Sequence, residues 1–491
     1  MTGTPVLSEV NIRGALYDRP AMGEQKGQLV RGLTATDTTA LVVGTVIGSG
    51  VFLKTAVMTQ DVGTPALVMA AWVAAGLLSL AGALTFAELG AMFPEAGGEY
   101  VYLKKSYGET AAFLFGWQRF IVAGSASIAS LGSGFAIFLA AFLPLNAVWV
   151  RREVSLLGQT IDWQFGPRQL VAVGAILFLS VLNCFAVALG GKVQSVLTVL
   201  KIGGIAFVVL GIFFFSDSAD WSHLQAAAGT AAWSGWAAFG TAMLAALWAY
   251  DGWNNMPMAA GEVQQPGRNI PRALIGGMLV VMAIYCLANL AYFYALPVSD
   301  VVTSNSTRHR AALPVASKAA STFLGEYGGK LVAVAFVVSA FGALNGSILS
   351  NARVPYAMAR DRLFFSKMAD LSERTRVPVW ALGVQAVWSS LLAVSGTFDQ
   401  LTDSLLFASW IFYGLVTSSV FVLRRKMPEA ARPYRTLGYP IVPAIFVLVS
   451  AWLVVNTLVE KRIESVTGLV LILAGLPLFF WFRSRSRPGQ D

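Results

Sequence analysis

The sequence predicts an all-α integral membrane protein with twelve transmembrane helices. Hydrophobic residues make up 56% of the 491 residues, charged residues only 12%, and the mean hydropathy is +0.65. Soluble domains carry about twice this charged fraction, so this composition cannot build a water-soluble surface. The apolar residues also fall in blocks of roughly 20, the length that a helix needs to cross about 30 Å of hydrocarbon.

The chain opens with a polar segment that has no apolar core, so we expect no cleavable signal peptide. Twelve apolar blocks follow. We place the spans near residues 37–59, 65–92, 109–143, 169–189, 191–215, 233–261, 270–296, 328–357, 378–396, 400–424, 440–457 and 465–482. The predicted organisation is a cytosolic tail and a transporter domain of two halves and two further helices, followed by a second cytosolic tail: 1–35, 36–482 (36–215, 233–424 and 440–482) and 483–491.

The basic residues predict the orientation of the spans. About 22 Lys and Arg residues lie in the tails and loops on one side, against 9 on the other. The positive-inside rule places the richer side in the cytosol, so we expect both termini there and a plasma membrane location, or the cytoplasmic membrane in a bacterium. Topology also accounts for the net charge of +9, and we expect no nucleic acid partner.

The composition excludes several classes of protein. The chain has only two His and two Cys, and both cysteines lie inside apolar blocks, so we expect no His-ligated haem pair, no structural zinc site, no cofactor and no metal. Cys184 and Cys286 lie inside apolar blocks, which argues against a disulfide framework. No convergent nucleophile and base, no phosphate-binding Gly-Lys-Ser/Thr run and no channel filter are evident. We therefore expect a transporter rather than an enzyme.

Two spans carry residues that interrupt a helix. Span one contains three glycines within residues 44–50, and each Gly weakens a helix by about 1 kcal/mol relative to Ala. Span six carries an acid, a glycine, two amides and a proline within 251–257. Close helix packing would also explain the glycines, because Gly44 and Gly48 have the spacing of a packing motif. Matching breaks in the first spans of two opposed halves instead indicate an inverted-repeat transporter with a midplane site.

Each break offers groups that bind a zwitterion. The resumed helix presents unpaired N–H groups, so we expect those of Ser49, Gly50 and Val51 to hold an α-carboxylate. We expect carbonyls of both breaks to accept from the α-amino group, namely those of Val46, Ile47, Trp248 and Ala249. The predicted substrate site comprises Val46, Ile47, Gly48, Ser49, Gly50 and Val51 from span one, and Trp248, Ala249, Tyr250, Asp251, Gly252 and Trp253 from span six.

Four motifs carry a family resemblance. They are VGTVIGSGVF at 43–52, AEL and FPEAGGEY at 87–89 and 93–100, AYDGWN and GEV at 249–254 and 261–263, and ALNGSILSNAR with AMARD at 343–353 and 357–361. In these motifs the chain resembles the amino acid-polyamine-organocation superfamily, and in particular its L-type branch and bacterial relatives. The resemblance implies a LeuT-type inverted repeat of five plus five helices, with discontinuous helices one and six and two peripheral helices. It also implies alternating access around a central amino acid site.

The residues around the breaks favour small or medium neutral amino acids, because they are mostly Ala, Gly, Ser, Phe and Trp. Asp251 leaves a cationic amino acid or polyamine permease as an alternative, although an acid in this stretch can equally accept from local backbone N–H groups. A sensor that keeps the fold without transport is the second alternative. Human L-type transporters bond to a heavy chain through a loop cysteine, whereas no predicted external loop here has one, so we expect no disulfide-linked heavy chain.

Lys201 lies in span five, where a buried cation predicts function. The alternative is a lysine that snorkels to the cytosolic surface. In sodium-coupled members of the fold a cation bridges helices one and eight, and by resemblance the matching groups are the carbonyls of Gly44 and Ile47, with Ser347 near. An ammonium in that place predicts sodium-independent transport. Lys201 would either release its proton during the cycle, giving a proton symporter, or stay charged, giving an exchanger.

Overall fold

A computed structural model describes residues 29–156, 159–226, 235–306, 308–309, 312–395, 398–460 and 462–485. Among these residues, nine helical stretches are long and apolar enough to cross a bilayer, and the apolar helix Val379–Ser395 is slightly shorter. The segments predicted as spans six and ten form the helices Gly235–Tyr250 and Phe398–Lys426, which are not among these nine. The chain is therefore a multi-pass membrane protein. Most of the two predicted tails, 1–28 and 486–491, lies outside the described residues.

The helices are numbered here in chain order. They are α1 (Ala35–Val46), α2 (Gly50–Val62), α3 (Pro65–Met92), α4 (Glu99–Tyr107), α5 (Glu109–Trp117), α6 (Gly124–Leu139), α7 (Pro167–Phe185), α8 (Val187–Phe215), α9 (Gly235–Tyr250), α10 (Asn255–Met258), α11 (Pro266–Ala295), α12 (Val298–Val302), α13 (Val315–Leu324), α14 (Tyr327–Asn351), α15 (Arg353–Arg360), α16 (Val379–Ser395), α17 (Phe398–Lys426), α18 (Ile441–Glu460), α19 (Arg462–Leu473) and α20 (Gly475–Arg485). Short 3₁₀ turns lie at Trp221–Gln225, Ala260–Glu262 and Ser366–Ala369.

The start and the end of α1 follow from its sequence. Thr34 and Asp37 form a capping box, in which each side chain accepts from the backbone N–H of the other residue at 3.2 Å. At the other end, Ile47 is already extended, with φ −70° and ψ 93°. The helix resumes as α2 at Gly50 and stops at Gly63, whose φ of 73° favours glycine. The first predicted span is thus two helices separated by three residues.

The predicted third span contains a π-helical turn. Residues Gln118–Ala123 form this turn between α5 and α6, and the N–H of Gly124 donates to the carbonyl of Arg119 five residues earlier. A π turn holds one residue more than an α turn and is frequent at functional sites. Its position in span three places Arg119 in the protein interior, where its side chain is 6% exposed.

The prediction of purely helical structure missed a β-hairpin. Strands β1 (Val150–Leu156) and β2 (Gln159–Phe165) pair antiparallel between α6 and α7, and Trp163 Nε1 donates to the carbonyl of Val394 in α16 at 2.8 Å. Apolar and polar residues alternate through Ile161, Asp162, Trp163 and Gln164, the period of a strand. In a chain dominated by long apolar helices, this short signal falls within a loop.

Spans four and five also meet earlier than predicted. The chain turns at Ala186, between α7 and α8, rather than at Gly190. Gly190 and Gly191 lie inside α8, and a Cβ on Gly191 would lie 2.8 Å from the Leu33 side chain. These glycines permit close packing and do not form the turn.

The long helices pack in two groups. Helices α1, α2, α3, α9 and α11 contact one another, and so do α6, α7, α14 and α16. Helix α8 contacts both α1 and α14, so it joins the two groups. The breaks between α1 and α2 and between α9 and α10 belong to the first group. The candidate site is therefore formed where this group meets α8 and α14.

Candidate functional site

The two interrupted helices face each other. Thr45 Oγ1 donates to the carbonyl of Gly252 at 2.9 Å, which links the end of α1 to the break after α9. Gly252 has φ +114°, and a Cβ there would lie 2.8 Å from the Thr45 carbonyl oxygen. A Cβ on Gly50 would lie 2.7 Å from Cα of Ala249. Both glycines are therefore required by backbones that approach within contact distance.

The twelve residues predicted to form the substrate site differ in access. Eight are buried, and the partly accessible four are Gly48, Ser49, Trp248 and Asp251. Trp253 is 3% exposed and packs against Phe86, with ring centroids 4.7 Å apart. Trp253 thus lies in the protein interior. Tyr250 is likewise fully buried against aromatic rings.

The partly accessible residues Gly48 and Ser49 lie at the N-terminus of α2, and this place is called the accessible edge of the breaks. The helix begins at Gly50, and the Ser49 hydroxyl makes no capping hydrogen bond within the described residues. The first N–H groups of a helix have no intrahelical acceptor, and the helix dipole makes this end positive. Gly48 and Ser49 are both partly accessible. This end of α2 can therefore accept an anionic group.

The carbonyls predicted to receive an amino group already have donors. Tyr285 Oη lies 3.0 Å from the Val46 carbonyl and 2.9 Å from the Ala249 carbonyl, and the N–H of Gly48 donates to the same hydroxyl. The N–H of Asp251 donates to the carbonyl of Trp248 at 3.3 Å. A carbonyl oxygen has two lone pairs, so each can accept a second donor. A ligand ammonium would either share the Val46 and Ala249 carbonyls with the Tyr285 hydroxyl or displace that hydroxyl from them.

Lys201 belongs to α8, and its fully buried side chain reaches the end of α1. Its Nζ donates to the carbonyls of Gly44 at 2.7 Å, Ile47 at 2.8 Å and Ser339 at 3.1 Å. The contact on α14 is thus Ser339 and not Ser347, which was expected here. Eight residues separate the two serines, about 12 Å along a helix, so Ser347 lies on another level of α14. The ammonium ties α1 to α14 from α8.

Ser339 strengthens the same junction. Its hydroxyl donates to the carbonyl of Ile47 at 2.9 Å and lies 3.2 Å from that of Gly48. Within the described residues, no carboxylate forms an ion pair with Lys201. The three acceptors are backbone dipoles, one for each N–H of an ammonium group.

Asp251 lies in the second break and is held by a tyrosine. Tyr413 of α17 donates its hydroxyl to Asp251 Oδ1 at 2.6 Å, and the N–H of Gly252 also donates to the carboxylate. The sequence left two roles open for this acid. With both donors in place, the Asp251 carboxylate acts as a hydrogen-bond acceptor that holds the second break in its conformation. The Gly252 N–H is a local backbone donor of the kind expected from the sequence.

A buried polar cluster lies beside this break. Asn254 Nδ2 donates to Glu99 Oε1 at 3.0 Å, while Arg119 donates to the side-chain oxygens of Asn351, at 2.7 Å, and Asn255. All five side chains are at most 6% exposed. The cluster joins α4, the π turn of span three, the second break and α14. Glu99 Oε2 and Asn254 Oδ1 have no hydrogen-bond partner within the described residues.

Several contacts lie on the side of the site where α1 begins. Arg353 and Glu262 form a bidentate ion pair at 2.7 and 2.8 Å, and both are fully buried. Leu33, just before α1, forms a parallel bridge with Val263. These contacts hold the start of α1 against the segment that follows α10.

The sequence profile of the amino acid permease family matches residues 33–481. This chain belongs to that family. The permease is 33% identical to the serine/threonine exchanger SteT of Bacillus subtilis (strain 168) over 450 residues, covering 91% of this chain and 95% of the other. It is 30% identical to the human b(0,+)-type amino acid transporter 1, covering 90% and 86% of the two chains. It is 26% identical to the human cystine/glutamate transporter, covering 98% and 93%.

Membership confirms the predicted superfamily and makes the protein a transporter and not an enzyme. Several residues of the permease site were absent from the sequence prediction. Tyr285, Ser339 and Tyr413 lie in apolar spans, where one polar residue on a helix does not reveal which neighbour it faces. Glu99 was noticed only as part of a family motif in a loop. Its signal was an acid that follows two glycines and begins a short helix.

Proposed function

We propose that this permease is a sodium-independent secondary transporter of small or medium neutral L-amino acids in the plasma membrane, or in the cytoplasmic membrane of a bacterium. Transport proceeds by alternating access, as an exchanger or a proton-coupled symporter. The observation that carries the proposal is the Lys201 ammonium between the carbonyls of Gly44, Ile47 and Ser339.

The three carbonyls determine what this position can hold. An ammonium supplies three donors, one for each acceptor, whereas a neutral amine supplies two. The geometry therefore favours a charged Lys201. A sodium ion a few ångströms away would be repelled by several kcal/mol at low dielectric. Gly44, Ile47 and Lys201 thus form a coupling site that replaces sodium, with Ser339 in place of Ser347.

The substrate is proposed to bind at the accessible edge of the breaks. Its carboxylate takes the N–H groups of Ser49, Gly50 and Val51, and its amino group takes the carbonyls of Val46 and Ala249 beside Tyr285. The remaining residues of the predicted set, Ile47, Gly48, Trp248, Tyr250, Asp251, Gly252 and Trp253, are proposed to shape the two breaks. Opposed helix ends that offer both signs of partial charge support recognition of a zwitterion.

Two findings support neutral substrates over basic ones. Asp251 already accepts from Tyr413 and Gly252, so it is occupied as an acceptor. The relative with 33% identity is a serine/threonine exchanger. The cationic amino acid or polyamine permease, and the sensor, remain the alternatives that the experiment below separates.

The architecture proposed for transport is the LeuT-type arrangement of twelve spans with both termini in the cytosol. The two packing groups joined by α8, and the paired breaks, support it. The cysteines are free, Cys184 in α7 and Cys286 in α11, both within helices, which supports a carrier without a disulfide-linked heavy chain.

Uptake of labelled serine into proteoliposomes tests the proposal. We expect uptake that is unchanged when choline replaces sodium, competition by neutral amino acids, and weak competition by lysine. Ethanolamine, which is serine without its carboxylate, should not compete. Internal serine separates exchange from symport. An obligate need for sodium, or equal competition by ethanolamine, would refute the proposed site.

Asp251→Asn separates the two substrate classes. If the carboxylate holds the break, the variant should lose uptake of all substrates in parallel. Strong lysine uptake by the wild type, lost only in Asp251→Asn, would instead establish the cationic permease. Absence of any flux, with binding retained, would establish the sensor.

A further inference from the structure

The unpaired acid beside the second break points to a proton site. We propose that Glu99 binds and releases the proton that is carried with the amino acid, on the side of the site where α1 begins. This inference rests on the proposed transport function and selects the proton-coupled branch of it. Lys201 is then a permanent tether, and the coupling proton is held by a different residue.

Glu99 is built into the protein and is not a surface acid. It is 0% exposed at the first turn of α4, and Oε1 accepts a single side-chain hydrogen bond, from Asn254 at 3.0 Å. Its own backbone N–H is a further donor to the carboxylate. Oε2 has no partner within the described residues, and neither does Oδ1 of Asn254. A carboxylate oxygen and an amide oxygen both lack a donor, and a proton on Oε2 supplies one.

The local charges leave room for that proton. Arg119, from the π turn, is the cation that acts on Glu99, and it also acts on Asp251. One guanidinium therefore faces two carboxylates, that of the fully buried Glu99 and that of Asp251, which is partly accessible. An unpaired buried charge costs several kcal/mol, so the cluster is stable when one of the two acids is protonated. The other groups that face Glu99 are the hydroxyls of Tyr102, on the same helix, and Tyr413.

Hydrogen bonding decides which acid takes the proton. Asp251 receives the short Tyr413 hydroxyl bond of 2.6 Å and the N–H of Gly252, and both favour its charged form. Within the part of the chain that the structure describes, the donors to Glu99 are the Asn254 amide and the Glu99 N–H. Burial raises the pKa of Glu99 to about 7, although Arg119 and Asn254 act in the opposite direction. A pKa near 7 lies within the range that a physiological proton gradient spans.

The position of Glu99 connects protonation to the transport site. Asn254 is the last residue of the second break, directly before α10. When Glu99 is charged, Oε1 and Oε2 are both acceptors, and the Asn254 amide can serve only one of them. When Glu99 gains a proton, it becomes a donor as well as an acceptor. The hydrogen bond that holds Asn254, and with it the start of α10, therefore depends on the proton.

Serine uptake driven by a proton gradient tests the inference. Proteoliposomes loaded with a pH dye are placed at about pH 6 outside and about pH 8 inside, a window that brackets a pKa near 7. The ratio of uptake with the gradient to uptake without it is measured in sodium and in choline. We expect a ratio well above unity in the wild type with internal acidification in both salts, and a ratio of unity without acidification in Glu99→Gln.

Glu95→Gln is the matched control. Glu95 is exposed and four residues earlier in the chain, so the same substitution there should keep the wild-type ratio. A wild type that exchanges serine without moving protons would overturn the inference while leaving the transport function intact. So would a Glu99→Gln variant that still acidifies the lumen. Stimulation by sodium in place of pH would overturn the inference and would also contradict sodium-independent transport. Absence of all serine flux would reject the proposed function itself.

Discussion

Replacing Lys201 by methionine removes the ammonium and keeps a side chain of similar length. In the wild type the three N–H groups join α8 to α1 and α14 through Gly44, Ile47 and Ser339. Lys201→Met leaves those carbonyls without this donor. We expect the variant to reach the membrane and to lose serine transport.

The size of the transport loss in Lys201→Met depends on which of the three carbonyls keep another hydrogen-bond donor. The Ile47 carbonyl retains the Ser339 hydroxyl at 2.9 Å. The Ser339 carbonyl lies inside α14 and retains its helical partner. Gly44 is in the last turn of α1, where carbonyls lack intrahelical donors, so it loses the most. One unsatisfied buried carbonyl costs about 1–3 kcal/mol. If this cost falls on the transporting conformation, flux decreases by about 5- to 150-fold.

The assay is initial serine uptake in proteoliposomes, corrected for the amount of reconstituted protein. Lys192→Met is the control, because Lys192 lies nine residues earlier on α8 and is exposed. It should transport as the wild type does. Normal flux in Lys201→Met would show that the ammonium does not hold the transporting state, and the reasoning from its three acceptors would be wrong.

Three further predictions concern glycine contacts, the buried ion pair and the tyrosine in the break. Gly50→Ala should abolish transport, because its Cβ would lie 2.7 Å from Cα of Ala249. Gly48→Ala should be tolerated, since its Cβ would meet no atom closer than 3.9 Å. Serine uptake by both variants checks this. Arg353→Met should lower the free energy of unfolding by about 3–5 kcal/mol, because it leaves a buried carboxylate unpaired, and an unchanged Tm would contradict this. Tyr285→Phe should lower both Tm and the KM for serine, because the hydroxyl stabilises two break carbonyls and competes for them; a raised KM would oppose that competition.

The breaks were predictable because they are encoded locally. Three glycines in seven residues cannot sustain a helix, and α1 ends within that stretch, at Val46. The Lys201 acceptors Gly44 and Ile47 were named from the sequence with the help of the family resemblance. Ser339 was not, because which turn of α14 meets Lys201 depends on how far that helix is shifted along its axis, and a single sequence does not encode that shift.

The polar cluster was beyond the sequence for a different reason. Glu99 begins a short helix in the segment between predicted spans two and three. Its burial results from contacts with residues more than a hundred positions away, such as Asn254. The role of Arg119 was not predictable, because its partners, Asn255 and Asn351, come from two other elements. Side-chain pairing between distant helices needs the tertiary structure.

The π turn in span three changes how the permease is compared with its relatives. One additional residue at Gln118–Ala123 advances everything in α6 by about 100° around the helix axis relative to α5. The residues of α6 that continue a given face of α5 are therefore one position later in the sequence than in an uninterrupted helix. In a relative with an uninterrupted third helix, the residues that match α6 in an ungapped alignment would point elsewhere. Substrate preferences transferred along span three therefore require an alignment that opens a one-residue gap at this turn.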